Sequence, residues 1–118
     1  AELIRRGLEA LEGADAPYAI AVTEFEFPIQ RALRIDDRGL TSMFSPEHFA
    51  TRSQDLEPAW HDAGQCYWGR PEAWRAERPL FDGAVPVAVS RARVQDIDTP
   101  EDWMLAEAVA LYDKKVEF

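Results

Sequence analysis

Residues 2–23, ELIRRGLEALEGADAPYAIAVT, decide the fold. Leu3, Ile4, Leu8 and Leu11 recur at helical spacing, with Arg5, Arg6, Glu9 and Glu12 on the other side, so residues 2–12 predict an amphipathic helix that Gly13 ends. After Pro17, the run YAIAVT (18–23) is short, apolar and rich in β-formers, which predicts a buried strand. A helix followed at once by a buried strand is the repeating unit of a layered α/β fold.

Working outward, Leu33–Ile35 and Leu40–Phe44 flank Asp36-Asp37-Arg38-Gly39, turn chemistry that predicts a β-hairpin projecting from the main body. Ser45-Pro46-Glu47-His48 offers an N-cap and a proline at the first helical position, hence one short helical turn. Gln65–Trp68 reads as a strand closed by Gly69, and Pro71 as the start of a short helix carrying Trp74. Val85–Val89 is apolar and β-branched, and Pro86 suits an edge position or the start of a strand. Thr99-Pro100-Glu101-Asp102 is a helix start, with Thr99 as N-cap, and the helix runs to about Lys115. Trp103, Ala106, Val109 and Ala110 lie on one side of it, with Lys114 and Lys115 in the last turn, where cations are favoured.

The chain has 118 residues, 47% hydrophobic and 30% charged, which suits one domain or half of a larger one and excludes disorder and low complexity. With 22 acidic against 13 basic residues the net charge is −9, which argues against a general affinity for nucleic acid. No apolar run approaches the roughly 20 residues of a membrane span. One cysteine, Cys66, allows no internal disulfide, and the first residues do not resemble a signal peptide, so a cytoplasmic location is expected.

Gln95-Asp96-Ile97-Asp98 carries two carboxylates one residue apart, which at a strand end would project to one side and face a single cation. Mg²⁺ takes one or two carboxylates and completes its octahedron with water or substrate phosphates, so the pair fits a nucleotide-metal site. The other reading is that Asp98 and Glu101 cap the helix and Asp96 is solvated. Arg52-Ser53-Gln54-Asp55 offers a guanidinium fork for a carboxylate or phosphate, or else an exposed ion pair of Arg52 with Asp55 or Glu57. His61-Asp62 followed by Gln65, Tyr67 and Trp68 fits a polar and aromatic wall for a sugar, or simple packing. A hydrolytic triad is rejected, since neighbours on a strand face opposite ways and no serine stands in a nucleophile elbow. Cys66 has no partner at metal spacing and is expected to be a buried thiol, and His48 a surface residue.

Three segments in order, FPIQRAL (27–33), TRSQDLEPAWHDAGQCYWG (51–69) and VQDIDTPEDWMLAE (94–107), resemble the acylneuraminate cytidylyltransferase family. The resemblance covers nearly the whole chain. It implies the C-terminal part of a nucleotidyltransferase-type three-layer α/β/α sheet, a single domain fragment over residues 1–118, with a hairpin dimerisation arm at about 25–56. It also implies a reaction in which a nonulosonic acid, of pseudaminic or sialic type, attacks the α-phosphate of CTP to give a CMP-sugar and pyrophosphate, with Mg²⁺. By the same resemblance Asp96 and Asp98 are the catalytic metal ligands, and Arg52, Gln54, Gln65 and Tyr67 bind substrate. A homodimer is implied, whose arms bring Arg31 or Arg52 toward the partner's site.

Nothing in residues 1–23 resembles the family's Gly-rich, basic loop for the CTP phosphates, so the chain alone is expected to be inactive and to associate through an unpaired sheet edge. Two other readings stay open: a non-catalytic sugar-binding or dimerisation module, and a metal-dependent nucleotide-sugar glycosyltransferase.

Overall fold

The computed structural model describes residues 2–116, with side chains as far as Leu111. They divide into two compact units, one of residues 24–61 and one of the segments on either side of it.

In the flanking unit, helix α1 (Glu2–Glu12) leads into strand β1 (Tyr18–Glu24), as the opening sequence predicts. Every residue of β1 from Tyr18 to Thr23 is buried, because the strand is central in a three-stranded sheet of order β4-β1-β5. Strand β5 (Val85–Ala88) pairs parallel with β1, with Ala19 opposite Val85 and Ala21 opposite Val87. Pro86 therefore occupies an edge strand, where a missing N–H costs no ladder bond on the open side. On the other side lies β4 (Trp60–Gly69), whose Arg70 end bonds back to Pro17 at 3.0 Å.

The core lies between the sheet and α1: Leu11, Ala19 and Val87 are buried together, with Leu3, Ala10, Trp68 and Val85 packed round them. Tyr18 faces the other way, and its hydroxyl donates to the carbonyls of Ala73 and Arg78 at 3.0 and 3.1 Å. Its ring meets Trp74 edge-on at 4.7 Å, which holds the short helix α2 (Pro71–Arg75) against β1.

Several expectations are corrected here. The strand expected at Gln65–Trp68 begins at Trp60. Cys66 is half-buried. The last helix, α3 (Pro100–Val116), starts where Thr99 predicts, yet Trp103, Met104, Leu105 and Leu111 are all more than half exposed. Among the described residues these apolar side chains are not buried against the sheet, and the described architecture is α/β, a sheet with α1 on one face. The side chains of Lys114 and Lys115 lie outside the described residues.

The unit of residues 24–61 is built on its own short elements. Strands β2 (Leu33–Ile35) and β3 (Thr41–Met43) form the expected antiparallel hairpin, with Leu33 opposite Met43. Asp36 Oδ1 accepts the N–H groups of Arg38 and Leu40, both at 2.9 Å, and this fixes the turn. The guanidinium of Arg34 lies 4.5 Å over the Phe44 ring. Three single 3₁₀ turns, Ile29–Arg31, Pro46–His48 and Ser53–Asp55, complete it. Ser45 precedes the second of these without a side-chain cap bond. His48 is half-buried, its Nδ1 3.3 Å from the Thr51 hydroxyl.

Candidate functional site

The sequence-predicted site residues fall on both units: Arg52 and Gln54 in residues 24–61, and Gln65, Tyr67, Asp96 and Asp98 in the other. Each group is described where it lies.

Gln65 and Tyr67 stand two residues apart on β4, both exposed. Just before them Gly64 takes φ 64°, a conformation open to glycine, and its N–H is received by Asp62 Oδ1 at 2.9 Å. The second carboxylate oxygen of Asp62 accepts the Tyr67 hydroxyl proton, and that acceptor, before the small effect of burial, holds the phenol above its usual pKa. The Gln65 amide donates to the Arg93 carbonyl at 2.6 Å, which ties β4 to the segment after β5. Asp62 thus positions Tyr67 and Gly64, and the His61 ring lies 4.7 Å from that of Phe25.

Asp96 and Asp98 do not stand at a strand end. The chain leaves β5, makes a 3₁₀ turn at Arg91–Arg93 and runs without ladder bonds to α3, so the pair is carried on exposed coil. Neither residue caps α3. Asp102 does so: its Oδ2 accepts the N–H of Thr99 at 2.8 Å and that of Asp98 at 3.2 Å, while the Asp102 N–H returns to Thr99 Oγ1 at 3.2 Å. These bonds, led by those from Thr99, hold the Asp102 carboxyl below its ordinary pKa. The capping alternative for Asp98 and Glu101 is thereby replaced, and both Asp96 and Asp98 keep their carboxylates directed to no partner among the described residues. No third His, Cys, Asp or Glu joins them among the described residues. Two carboxylates without a third suit Mg²⁺, which fills its remaining positions with water or phosphate oxygen, better than a cation that needs a full protein cage.

In the other unit, Arg52 Nε pairs with Asp55 Oδ2 at 3.1 Å, the surface pairing that its sequence allows. Its side chain is 75% exposed, so the outer guanidinium nitrogens still face solvent. Gln54 lines a cleft of about 260 Å³ with Phe25, Phe27, Leu56 and Glu57.

A polar cleft escapes sequence reasoning. Arg6 on α1, Gln65 on β4 and Ser90 and Arg93 beyond β5 line about 440 Å³ at the carboxyl ends of the parallel strands. Its residues come together only because α1 packs on β5, and no local pattern marks Arg6 or Ser90.

Over 107 residues the chain is 37% identical to a pseudaminic acid cytidylyltransferase of Campylobacter jejuni serotype O:2, covering 90% of this chain and 46% of that one. Its sequence is similar to that of pseudaminic acid cytidylyltransferases. The enzyme of that name from C. jejuni strain 81-176 is 38% identical over 106 residues, again 46% of its length. A Helicobacter pylori protein named as both a pseudaminic acid cytidylyltransferase and a UDP-2,4-diacetamido-2,4,6-trideoxy-beta-L-altropyranose hydrolase is 30% identical over 96 residues, 18% of its length. No protein-family model matches the chain. The chain thus spans just under half the length of the C. jejuni cytidylyltransferases it matches. Among the described residues no helix is long and apolar enough to cross a membrane.

Proposed function

We propose that this chain is the sugar-binding, metal-binding and dimerisation half of a CTP-dependent cytidylyltransferase that activates a pseudaminic-type nonulosonic acid to its CMP-sugar in the cytoplasm. The observation that carries the reading is the similarity to pseudaminic acid cytidylyltransferases over nine-tenths of the chain, a stretch that includes the segments RSQDL, HDAGQCYWG and QDIDTPEDW.

In this reading Asp96 and Asp98 hold Mg²⁺ at the mouth of the helix that Thr99 opens. Bound there, the ion would offset charge on the CTP phosphates and lower the pKa of the sugar's anomeric hydroxyl. The coil carrying the two aspartates is anchored at both ends, by the Gln65 bond to Arg93 and by the Asp102 cap, which limits the entropy lost on binding. Gln65 and Tyr67 present an amide and a phenol to sugar hydroxyls, and the Asp62 bond fixes the Tyr67 side chain beforehand. Arg52 offers its outer nitrogens, and Gln54 its amide, to the sugar acid. A second copy of the polypeptide would pair through residues of about 25–56.

Pyrophosphate release from CTP, Mg²⁺ and a nonulosonic acid tests this, measured on the 118-residue chain and on the polypeptide that carries it in cells. Release by the cellular polypeptide but not by the chain alone is expected. Absence of release from both, with tight sugar binding retained, favours a binding module. Consumption of a finished sugar nucleotide rather than CTP favours a glycosyltransferase.

A further inference from the structure

The cleft lined by Arg6, Ser90, Arg93 and Gln65 lies where parallel sheets bind ligands, beyond the carboxyl ends of β1 and β5. Arg6 is anchored there. Its Nη2 donates to the Ala88 carbonyl, the last residue of β5, at 2.8 Å, which fixes the plane of the guanidinium and leaves its remaining N–H groups at the cleft. The one carboxylate lining the cleft, Glu2, is held by Arg5 at 2.7 Å, a guanidinium it shares with Glu9, so its charge is offset in part. The N-terminal turns of α1 add the positive end of a helix dipole.

A second observation comes from β1. Thr23 is 1% exposed and its Oγ1 has no hydrogen-bond partner. Alternation puts Thr23 on the α1 face with Ala19 and Ala21, and the bond from the Val89 N–H to the Val22 carbonyl carries the register on, so that Thr23 stands beside Val89 of the cleft lining. A buried hydroxyl without a partner asks for a reason, and Thr23, though not itself in the lining, backs Val89, which is.

We propose that this cleft is an oxyanion site, taking a phosphoryl or carboxylate group between the Arg6 guanidinium, the Ser90 hydroxyl and the Gln65 amide. It shares Gln65 with the sugar reading above but is tested without nucleotide or sugar, so either can fail alone.

The test is an NMR titration of the 118-residue chain with inorganic phosphate and, separately, with acetate, at constant ionic strength with chloride as reference. Saturable shifts confined to the amides of Leu3, Arg6, Gln65 and Ser90 are expected. Arg6→Gln and Ser90→Ala should each weaken binding about tenfold while leaving the rest of the spectrum in place, since both side chains are exposed. Saturation by phosphate alone assigns the site to a phosphoryl group, and saturation by acetate to a carboxylate. Shifts that chloride reproduces, or that survive both substitutions unchanged, overturn the proposal.

Discussion

Thr99 and Asp102 cap one another: the Thr99 hydroxyl donates to Asp102 Oδ2 at 2.6 Å, and the Asp102 N–H bonds back to Thr99 Oγ1 at 3.2 Å. Since α3 exposes its large apolar residues, this reciprocal cap is the main local reason for the helix to begin where it does. Thr99→Ala should therefore cost about 1 kcal/mol at the first turn of α3. Amide hydrogen exchange at Trp103 and Met104, whose N–H groups lie in that turn, would read it as faster exchange with the sheet amides unchanged.

The same cap makes the start of α3 sensitive to acid. The bonds from Thr99 lower the Asp102 pKa in the folded state, so its contribution is fully present above the ordinary carboxylate value and is lost as pH falls through the lowered one. Exchange at the first turn of α3 should rise in that acidic window. Asp102→Asn should show weaker protection at neutral pH and no such step on acidification.

Gly7 sits in α1 against the indole of Trp68, where a Cβ would overlap the ring rather than touch it. Gly7→Ala raises helix propensity by about 1 kcal/mol, yet the indole is packed against the core of Leu11, Ala19 and Val87 and has nowhere to go. Overpacking of this kind costs about 1–3 kcal/mol. A net loss in midpoint on urea unfolding is expected, and a gain would show that Trp68 is loosely held.

Arg70 is a second point where one side chain holds the unit together. Its Nη2 donates to the carbonyls of Leu11 and Ala14, both at 2.9 Å, and its Nε to that of Ala16 at 3.0 Å, so one guanidinium satisfies the end of α1 and the loop into β1. Lysine cannot reproduce that fork. Arg70→Lys should lower stability by about 2 kcal/mol, and Arg70→Ala by at least as much, in chemical denaturation.

How much of this was legible follows from how local each signal is. α1, β1 and the 33–43 hairpin are written in nearest-neighbour terms, an amphipathic period, a continuous apolar run and the Asp36 turn, and they stand where the sequence places them. The sequence places the start of β4 five residues late, at Gln65 instead of Trp60, because His61-Asp62-Ala63-Gly64 mixes charge with a positive-φ glycine, and alternation is no guide across such a residue. α3 was located by Thr99 but its surroundings were not, since an apolar helix side says that it is covered without saying by what. In the site, Asp96-x-Asp98 was visible as a pair, whereas its setting on coil depended on where β5 stops. Arg6 reaches Ala88 across 82 positions of sequence, and only packing reveals that contact.

The aspartate pair allows the sharpest separation of function from stability. Asp96 and Asp98 are exposed, make no side-chain bond among the described residues and stand outside the Asp102 cap, so Asp96→Asn and Asp98→Asn should leave the unfolding midpoint within about 0.5 kcal/mol of the unchanged chain. If they hold Mg²⁺ in the catalytically competent polypeptide, each substitution should cut pyrophosphate release by about a hundredfold or more and raise the Mg²⁺ concentration needed for half-activity. Charge alone does not account for such a result, because Glu101→Gln, at the second residue of α3, removes an equal charge and should change neither quantity. A loss shared equally by all three variants would point to bulk electrostatics and remove the metal role from the pair. Loss in Asp96→Asn and Asp98→Asn with Glu101→Gln intact would place the cation on the coil between β5 and α3.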